Sequence, residues 1–242
     1  MRAGPGLSDN AGAAALLARV RALFPPDLRL GLGVARLGEG SDAHLMAQEN
    51  KALGRVAPLR RAEFAAGRLA LRRAQAALGV TPFAVPNGAD RAPAWPRGFC
   101  GSISHAGGVA MAVLGRQDGG LRSLGLDIEV YEALPAALHD SVLLPPERAG
   151  IGGGIDAGRW AQAIFCIKEC VYKAQYPLTG QLFGFEVIEV TQGSVAFDRG
   201  EWPGAFTAQF KKDVVPFRAG DCVEGRYSAG GGLIVSAVAL RQ

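Results

Sequence analysis

Asp127 and Glu129 flank Ile128 in the run Leu124 to Val130. A strand turns alternate side chains to opposite faces, so both carboxylates share one face while Leu126, Ile128 and Val130 enter the core. Two like charges about 4 Å apart repel by roughly 4 kcal/mol at an effective dielectric of about 20. A divalent cation removes that repulsion. Glu169 adds a third oxygen donor from a helix, and three such side chains form a hard ligand set suited to magnesium, with manganese as the alternative. The plainer reading of Asp127 and Glu129 is an acidic pair facing water on an edge strand.

Glu169 belongs to Arg159–Ala174, RWAQAIFCIKECVYKA, which has no Gly or Pro and is bracketed by Gly158 and Pro177. This predicts a helix of about four turns. Trp160, Ile164, Ile167 and Val171 recur at spacings of three and four and form its apolar face. Glu169 and Lys173 lie one turn apart, with Lys168 beside Glu169. The chain has 26 Lys and Arg, only five of them Lys, and two of those five are Lys168 and Lys173. A lysine is a compact, mobile charge that can meet a phosphate. A solvated Glu–Lys pair on a core helix is the plainer alternative.

A second helix is predicted over residues 57–78, stopped by Gly79. Arg61 and Arg68, seven apart, project from one of its faces, either as a solvated basic face or as an anion clamp. Val80 to Phe99 is a Pro-rich loop carrying Arg91 and Trp95, and loops of this length inside a domain are often functional. The segment Cys100 to His105 is expected to bring Ser104 and His105 into a turn before a buried strand at Val109–Leu114. Shorter helices are expected at 11–23, 41–52 and 133–138. A strand is expected at 28–36, where Gly31 and Gly33 permit close packing. Further strands are expected at 185–191, 194–197, 205–210, 223–228 and 233–240, so the second half reads as helix plus antiparallel sheet. Residues 1–10 read as a frayed tail and 150–158 as a mobile Gly-rich segment.

The 242 residues suffice for a full core in one or two domains. A net charge of +4 and a pI near 9.0 suit an acidic partner or anionic ligand. The positive charge is dispersed, whereas nucleic-acid binders more often concentrate it. Cys100, Cys166, Cys170 and Cys222 complete no zinc set and read as reduced, small core residues of a cytoplasmic protein. No stretch approaches the ~20 apolar residues of a membrane span, and no secretory signal pattern opens the chain.

Three blocks, GSISH (Gly101 to His105), GLDIE (Gly125 to Glu129) and FCIKECVYKA (Phe165 to Ala174), resemble the signature blocks of the 4′-phosphopantetheinyl transferases. APAWPRGFCGSISH and RRAEFAAGRLALRRA resemble the enterobactin-synthetase-component-D branch of the Sfp-type enzymes. The resemblance runs in order from about Arg60 to Val190. Cys166 and Cys170 stand where the family favours Ser and Ala or Ser, and Leu126 where it favours Ile or Val.

The resemblance implies two similar α/β halves in a pseudo-twofold arrangement with the site between them. Residues 1–118 would form the coenzyme-binding half and 119–242 the metal-binding half. It implies transfer of the 4′-phosphopantetheine arm of coenzyme A to a serine of an apo acyl or peptidyl carrier protein. Asp127, Glu129 and Glu169 would hold magnesium on the pyrophosphate, with Glu169 also the proposed base. Lys168 and Lys173 would meet coenzyme phosphates. Arg61, Arg68, Ser104 and His105 would bind the adenosine-side phosphates, with Arg91 as a further contact. The carrier is expected to be acidic, the enzyme a monomer without nucleic acid as partner, and the pathway siderophore or other secondary metabolite synthesis. Two other classes are compatible with the residues alone: another magnesium-dependent phosphotransferase or nucleotide hydrolase, and a non-catalytic module binding carrier protein or nucleic acid.

Overall fold

The computed structural model describes residues 10–151, 156–192 and 202–242. Eight strands form among these, in two antiparallel sheets. In the first sheet, β1 (Leu30–Arg36) and β2 (Phe99–Ala106) flank β3 (Val109–Arg116). The second runs β4 (Leu121–Val130), β8 (Leu233–Arg241), β7 (Cys222–Gly230), β6 (Trp202–Phe210), β5 (Ile188–Gln192). Strands β3 and β8 are nearly continuous buried runs. The chain crosses from one sheet to the other at residues 117–120.

Each sheet carries one long helix, and each helix approaches through the same device. Helix α3 (Pro58–Leu78) lies on β1. A Cβ at Gly31 or Gly33 would stand 2.0 Å from the carbonyl oxygen of Ala74 or Ala70. Helix α6 (Ala157–Thr179) lies on β4. There a Cβ at Gly125 would stand 2.2 Å from the carbonyl oxygen of Cys170. Gly125, Asp127 and Glu129 alternate on the same face of β4, so the glycine that admits α6 also sets that helix beside the two carboxylates. The opposite face supplies Leu124, Leu126 and Ile128 to a core shared with Val34, Met111 and Val113 of the first sheet. Leu16 and Val20 of α1 (Asn10–Arg21) join that core.

Several boundaries differ from the expectations, each for a local reason. The segment expected as one helix at 41–52 is a 3-10 turn, Asp42–His44, followed by α2 (Ala47–Leu53). Its break is fixed by Glu49, whose Oε2 accepts the Met46 N–H at 2.9 Å. Ser104 and His105 lie on β2, paired with Met111 and Ala110, and the turn is Gly107-Gly108 with φ of 56° and 78°. Pro177 does not stop α6; it lies in the last turns and removes only its own donor. The helix ends at Gly180, left-handed at φ 62°, whose N–H reaches the Tyr176 carbonyl at 2.8 Å. Residues 133–138 contribute only a 3-10 turn, Ala136–Leu138, leading into α4 (His139–Val142), and α5 (Pro145–Ile151) follows. The strand expected at 185–191 opens with a 3-10 turn, Phe185–Val187. The strand expected at 194–197 and residues 1–9 of the expected tail lie outside the described residues, as do residues 152–155 of the Gly-rich segment, whose flanks end α5 and open α6. Cys100, Cys166 and Cys170 are buried as expected, but Cys222 is exposed.

Gly33→Ala is expected to destabilise the fold by about 1–3 kcal/mol, because the added methyl meets helix backbone that cannot rotate aside. Urea unfolding reads this as a lower midpoint at unchanged slope; an unchanged midpoint would refute the close β1–α3 packing.

Candidate functional site

Strands β2 and β4 belong to different sheets yet run side by side. Serine side chains stitch this seam. The Ser102 hydroxyl donates to the Leu126 carbonyl at 3.1 Å, and the Ser104 hydroxyl accepts the Ile128 N–H at 3.4 Å. Ser104 donates to Asp127 Oδ1 at 2.8 Å. Lys173 Nζ, arriving from α6, donates to the same Oδ1 at 2.5 Å and to Ser104 Oγ at 2.9 Å. A serine of one half, an aspartate of the other and a helix lysine therefore form one closed set.

Asp127 is 2% exposed, and its second oxygen, Oδ2, is buried without a hydrogen-bond partner. An orphaned carboxylate oxygen is costly unless something absent from the protein completes it. Burial, then the Asp127 charge, then Glu169, push the Glu129 carboxyl up to about 7. Burial and Asp127 raise Glu169 as well. Burial alone would lower the Lys173 ammonium, but Asp127 outweighs it and the pKa rises.

These groups line a cleft of about 310 Å³ between α3 and α6. Its opposite wall carries Arg60, Glu63, Arg68, Asn87, Arg91 and His105. Arg60 NH1 donates to His105 Nε2 at 3.0 Å, and burial lowers the His105 pKa, with Arg60 adding to the effect against Glu63. Arg68 is 3% exposed, lies 4.1 Å from the centroid of the Phe64 ring and donates to Asn87 Oδ1 at 2.8 Å. Burial lowers its pKa to about 10. It is backed by the fully buried Glu49, which also accepts Arg72 and the Val85 N–H. Arg91 is exposed at the lip and forms no ion pair among the described residues.

The structure thus brings Arg68, Arg91, Ser104, His105, Asp127, Glu129, Glu169 and Lys173 to one cleft. Two expected residues point elsewhere. Lys168 is one residue before Glu169, about 100° around the helix, and its ammonium is buried in the second half. It contacts Glu147 Oε2 at 2.7 Å and the carbonyls of Val142 and Phe185 at 2.8 and 3.1 Å. It is the counter-charge of Glu147 and does not line the cleft that holds Asp127. Arg61 does share a face with Arg68, but that face looks onto the segment at 42–50, where Arg61 pairs with both oxygens of Asp42 and with Asn50. Arg60, Glu63 and Asn87 were missed from sequence; only their positions beside Arg61, Arg68 and Arg91 hinted at them.

Nor are the carboxylates a preformed cage: among the described residues no three His, Cys, Asp or Glu side chains are grouped closely enough to hold an ion. Magnesium commonly takes one or two carboxylates and completes its shell with water and substrate phosphates. The free Asp127 oxygen and the raised Glu129 and Glu169 carboxyls fit that role. Beside Glu169, a recess of about 250 Å³ is lined by Lys168, Tyr172, Phe183, Gly184, Phe185 and Ile188.

Two outcomes are expected. Glu129 holds its proton more tightly folded than unfolded, so its contribution to stability falls as pH rises from about 4.5 to about 7. Glu129→Gln should therefore raise the cation-free Tm at pH 8 and not at pH 4, and added magnesium should raise the parent's Tm at pH 8 more than the variant's. Equal shifts at both pH values would refute the electrostatic assignment. Lys168→Ala should cost about 3–5 kcal/mol in urea unfolding, because it leaves Glu147 buried without its counter-charge; an unchanged midpoint would contradict a structural Lys168.

Comparison with known proteins gives two family matches. Residues 48–115 match the 4′-phosphopantetheinyl transferase N-terminal domain, and residues 123–214 match the 4′-phosphopantetheinyl transferase superfamily. The chain is 35% identical over 196 residues to the 4′-phosphopantetheinyl transferase PptT of Mycobacterium tuberculosis, covering 80% of this chain and 85% of that protein. It is 36% identical over 190 residues to the 4′-phosphopantetheinyl transferase Npt of Nocardia iowensis, covering 74% and 82%. Enterobactin synthase component D of Salmonella typhi is 37% identical over 136 residues, covering 54% and 55%.

Proposed function

The chain belongs to the 4′-phosphopantetheinyl transferase superfamily, and from that premise we propose that the cleft between α3 and α6 binds coenzyme A and passes its phosphopantetheine arm to a serine of an apo acyl or peptidyl carrier protein. The family uses coenzyme A as substrate and a divalent cation. The observation that carries the reading is the buried, unpartnered Asp127 Oδ2 beside Glu129, Glu169 and Lys173 in a cleft whose other wall is cationic.

Each residue then has a task its surroundings support. Asp127, Glu129 and Glu169 would hold magnesium or manganese against the pyrophosphate, and the cation would neutralise charge on the phosphates when bound. Lys173, kept charged by Asp127, lies within reach of the transferred phosphate. Arg68 and Arg91, with Arg60 and His105, take the adenosine-side phosphates, and guanidinium groups suit that bidentate work. His105, neutral at pH 7 with Nε2 occupied by Arg60, presents its other ring N–H. The recess beside Glu169 offers apolar walls for the pantetheine arm.

The serine hydroxyl attacks the β-phosphorus. A new O–P bond forms, the bond to the bridging oxygen breaks, and adenosine 3′,5′-bisphosphate leaves. Glu169, its carboxyl raised above the usual carboxylate range by burial and the Asp127 charge, accepts the serine proton. Positioning and charge neutralisation supply the acceleration. Both walls of the cleft come from one chain, which supports action as a monomer, and the net positive charge suits an acidic carrier. Residues 1–118 and 119–242 serve as the coenzyme and metal halves.

Intact mass spectrometry of apo carrier proteins, after incubation with the chain, coenzyme A and magnesium, should show a gain of one phosphopantetheine arm. Asp127→Asn, which keeps an acceptor for Lys173 and Ser104, and Glu129→Ala and Glu169→Ala should each abolish that gain while circular dichroism stays native. Full transfer by any of them would overturn the site, and no gain on any carrier would overturn the function.

A further inference from the structure

The turn that presents Arg91 is fastened at two points, once to each half. Asn87, at its start, accepts a hydrogen bond from Arg68 of α3 at 2.8 Å. Asp90, at its tip, accepts one from the hydroxyl of Tyr176 on α6 at 2.7 Å. The same carboxylate shapes the turn from within. Asp90 Oδ1 accepts the Ala92 N–H at 3.0 Å, and a Cβ on Gly88 would stand 2.7 Å from that oxygen. The Gly88 N–H reaches the Ala92 carbonyl at 2.8 Å, and the Arg91 N–H reaches the Gly88 carbonyl at 3.0 Å.

Arg91, the residue after Asp90 and enclosed by the Asp90–Ala92 hydrogen bond, has φ 67°, the single non-glycine residue with positive φ among those described. A side-chain-bearing residue adopts that conformation only where its neighbours enforce it. Its guanidinium is exposed at the cleft lip. The Asp90–Ala92 and Gly88–Ala92 hydrogen bonds that enclose it, not its own side chain, hold the conformation. Tyr176 shares α6 with Glu169 and Lys173, so its bond to Asp90 also sets the spacing between the turn and those two residues.

We propose that Tyr176 and Asp90 are positioning residues, which lock the 87–93 turn across the seam so that Arg91 meets a phosphate of bound coenzyme A. This rests on the reading of the cleft given above. Release of the tie lets the turn relax away from the second half, and the coenzyme is held less tightly while the reacting groups stay in place.

The test is a double-mutant cycle on the full chain, with coenzyme A as the varied substrate. Tyr176→Phe keeps the ring that stacks on Tyr172 and removes only the hydroxyl. It should raise KM for coenzyme A about fivefold, the worth of one hydrogen bond, with kcat within about twofold. Asp90→Ala should do the same. Arg91→Ala should raise KM further, and adding Tyr176→Phe to it should change nothing more, because the tie then has no arginine to position. A Tyr176→Phe effect that simply multiplies that of Arg91→Ala, falls on kcat, or is absent overturns the inference and leaves the cleft reading standing. An Arg91→Ala variant with unchanged KM removes Arg91 from the phosphate site and the inference with it. Absence of both transfer and calorimetric coenzyme A binding in the parent chain would overturn inference and function together.

Discussion

Asp127 Oδ1 holds the two halves of this protein together at the point where the chemistry is proposed. It takes the ammonium of Lys173 and the hydroxyl of Ser104. No ladder of backbone bonds joins β2 to β4, so side chains carry the register between the sheets. A buried carboxylate in that place is stable only while its partners remain. The same requirement leaves Oδ2 buried beside the cleft with no hydrogen-bond partner. Structural demand and ligand demand thus fall on the two oxygens of one residue.

The rest of the fold keeps charge in place around that seam. In the first half the fully buried Glu49 gathers Arg68, Arg72 and the Val85 N–H, tying α2, α3 and the loop that follows α3. In the second half Glu147 does the equivalent, gathering Lys168 and the N–H groups of Leu144 and Val190. Each long helix is thereby pinned by a buried acid contributed by another element. Gly31 and Gly33 on β1, and Gly125 on β4, let the helix backbones close to contact. The two halves repeat an architectural idea without repeating a sequence.

Much of this was legible beforehand, and the exceptions share a cause. Periodicity located both long helices and most strands. The alternation around Ile128 correctly put Asp127 and Glu129 on one face, and the glycines correctly marked close packing. What periodicity lacks is the identity of whatever lies opposite a face. Arg61 and Arg68 do share a side of α3, but protein acids at 42 and 49 occupy part of it, and Arg60 turns to the cleft instead. Lys168 looked like a second phosphate contact because lysines are scarce in this chain. Its true partner, Glu147, comes from a segment that sequence pattern rendered only as short helix and loop. Pro177 misled because a proline near a helix end costs a single donor, and Gly180 supplies the actual stop. The Asp90–Tyr176 tie, spanning 86 positions, had no signal in sequence at all.

The central claim is that the free oxygen of Asp127 belongs to a cation shared with the coenzyme's diphosphate. Anomalous diffraction from crystals grown with manganese and coenzyme A tests it most directly. The account requires an anomalous peak in bonding contact with Asp127 Oδ2 and with the pyrophosphate, between Glu129 and Glu169. A fully occupied coenzyme with its pyrophosphate elsewhere, or manganese bound away from Asp127, would contradict it.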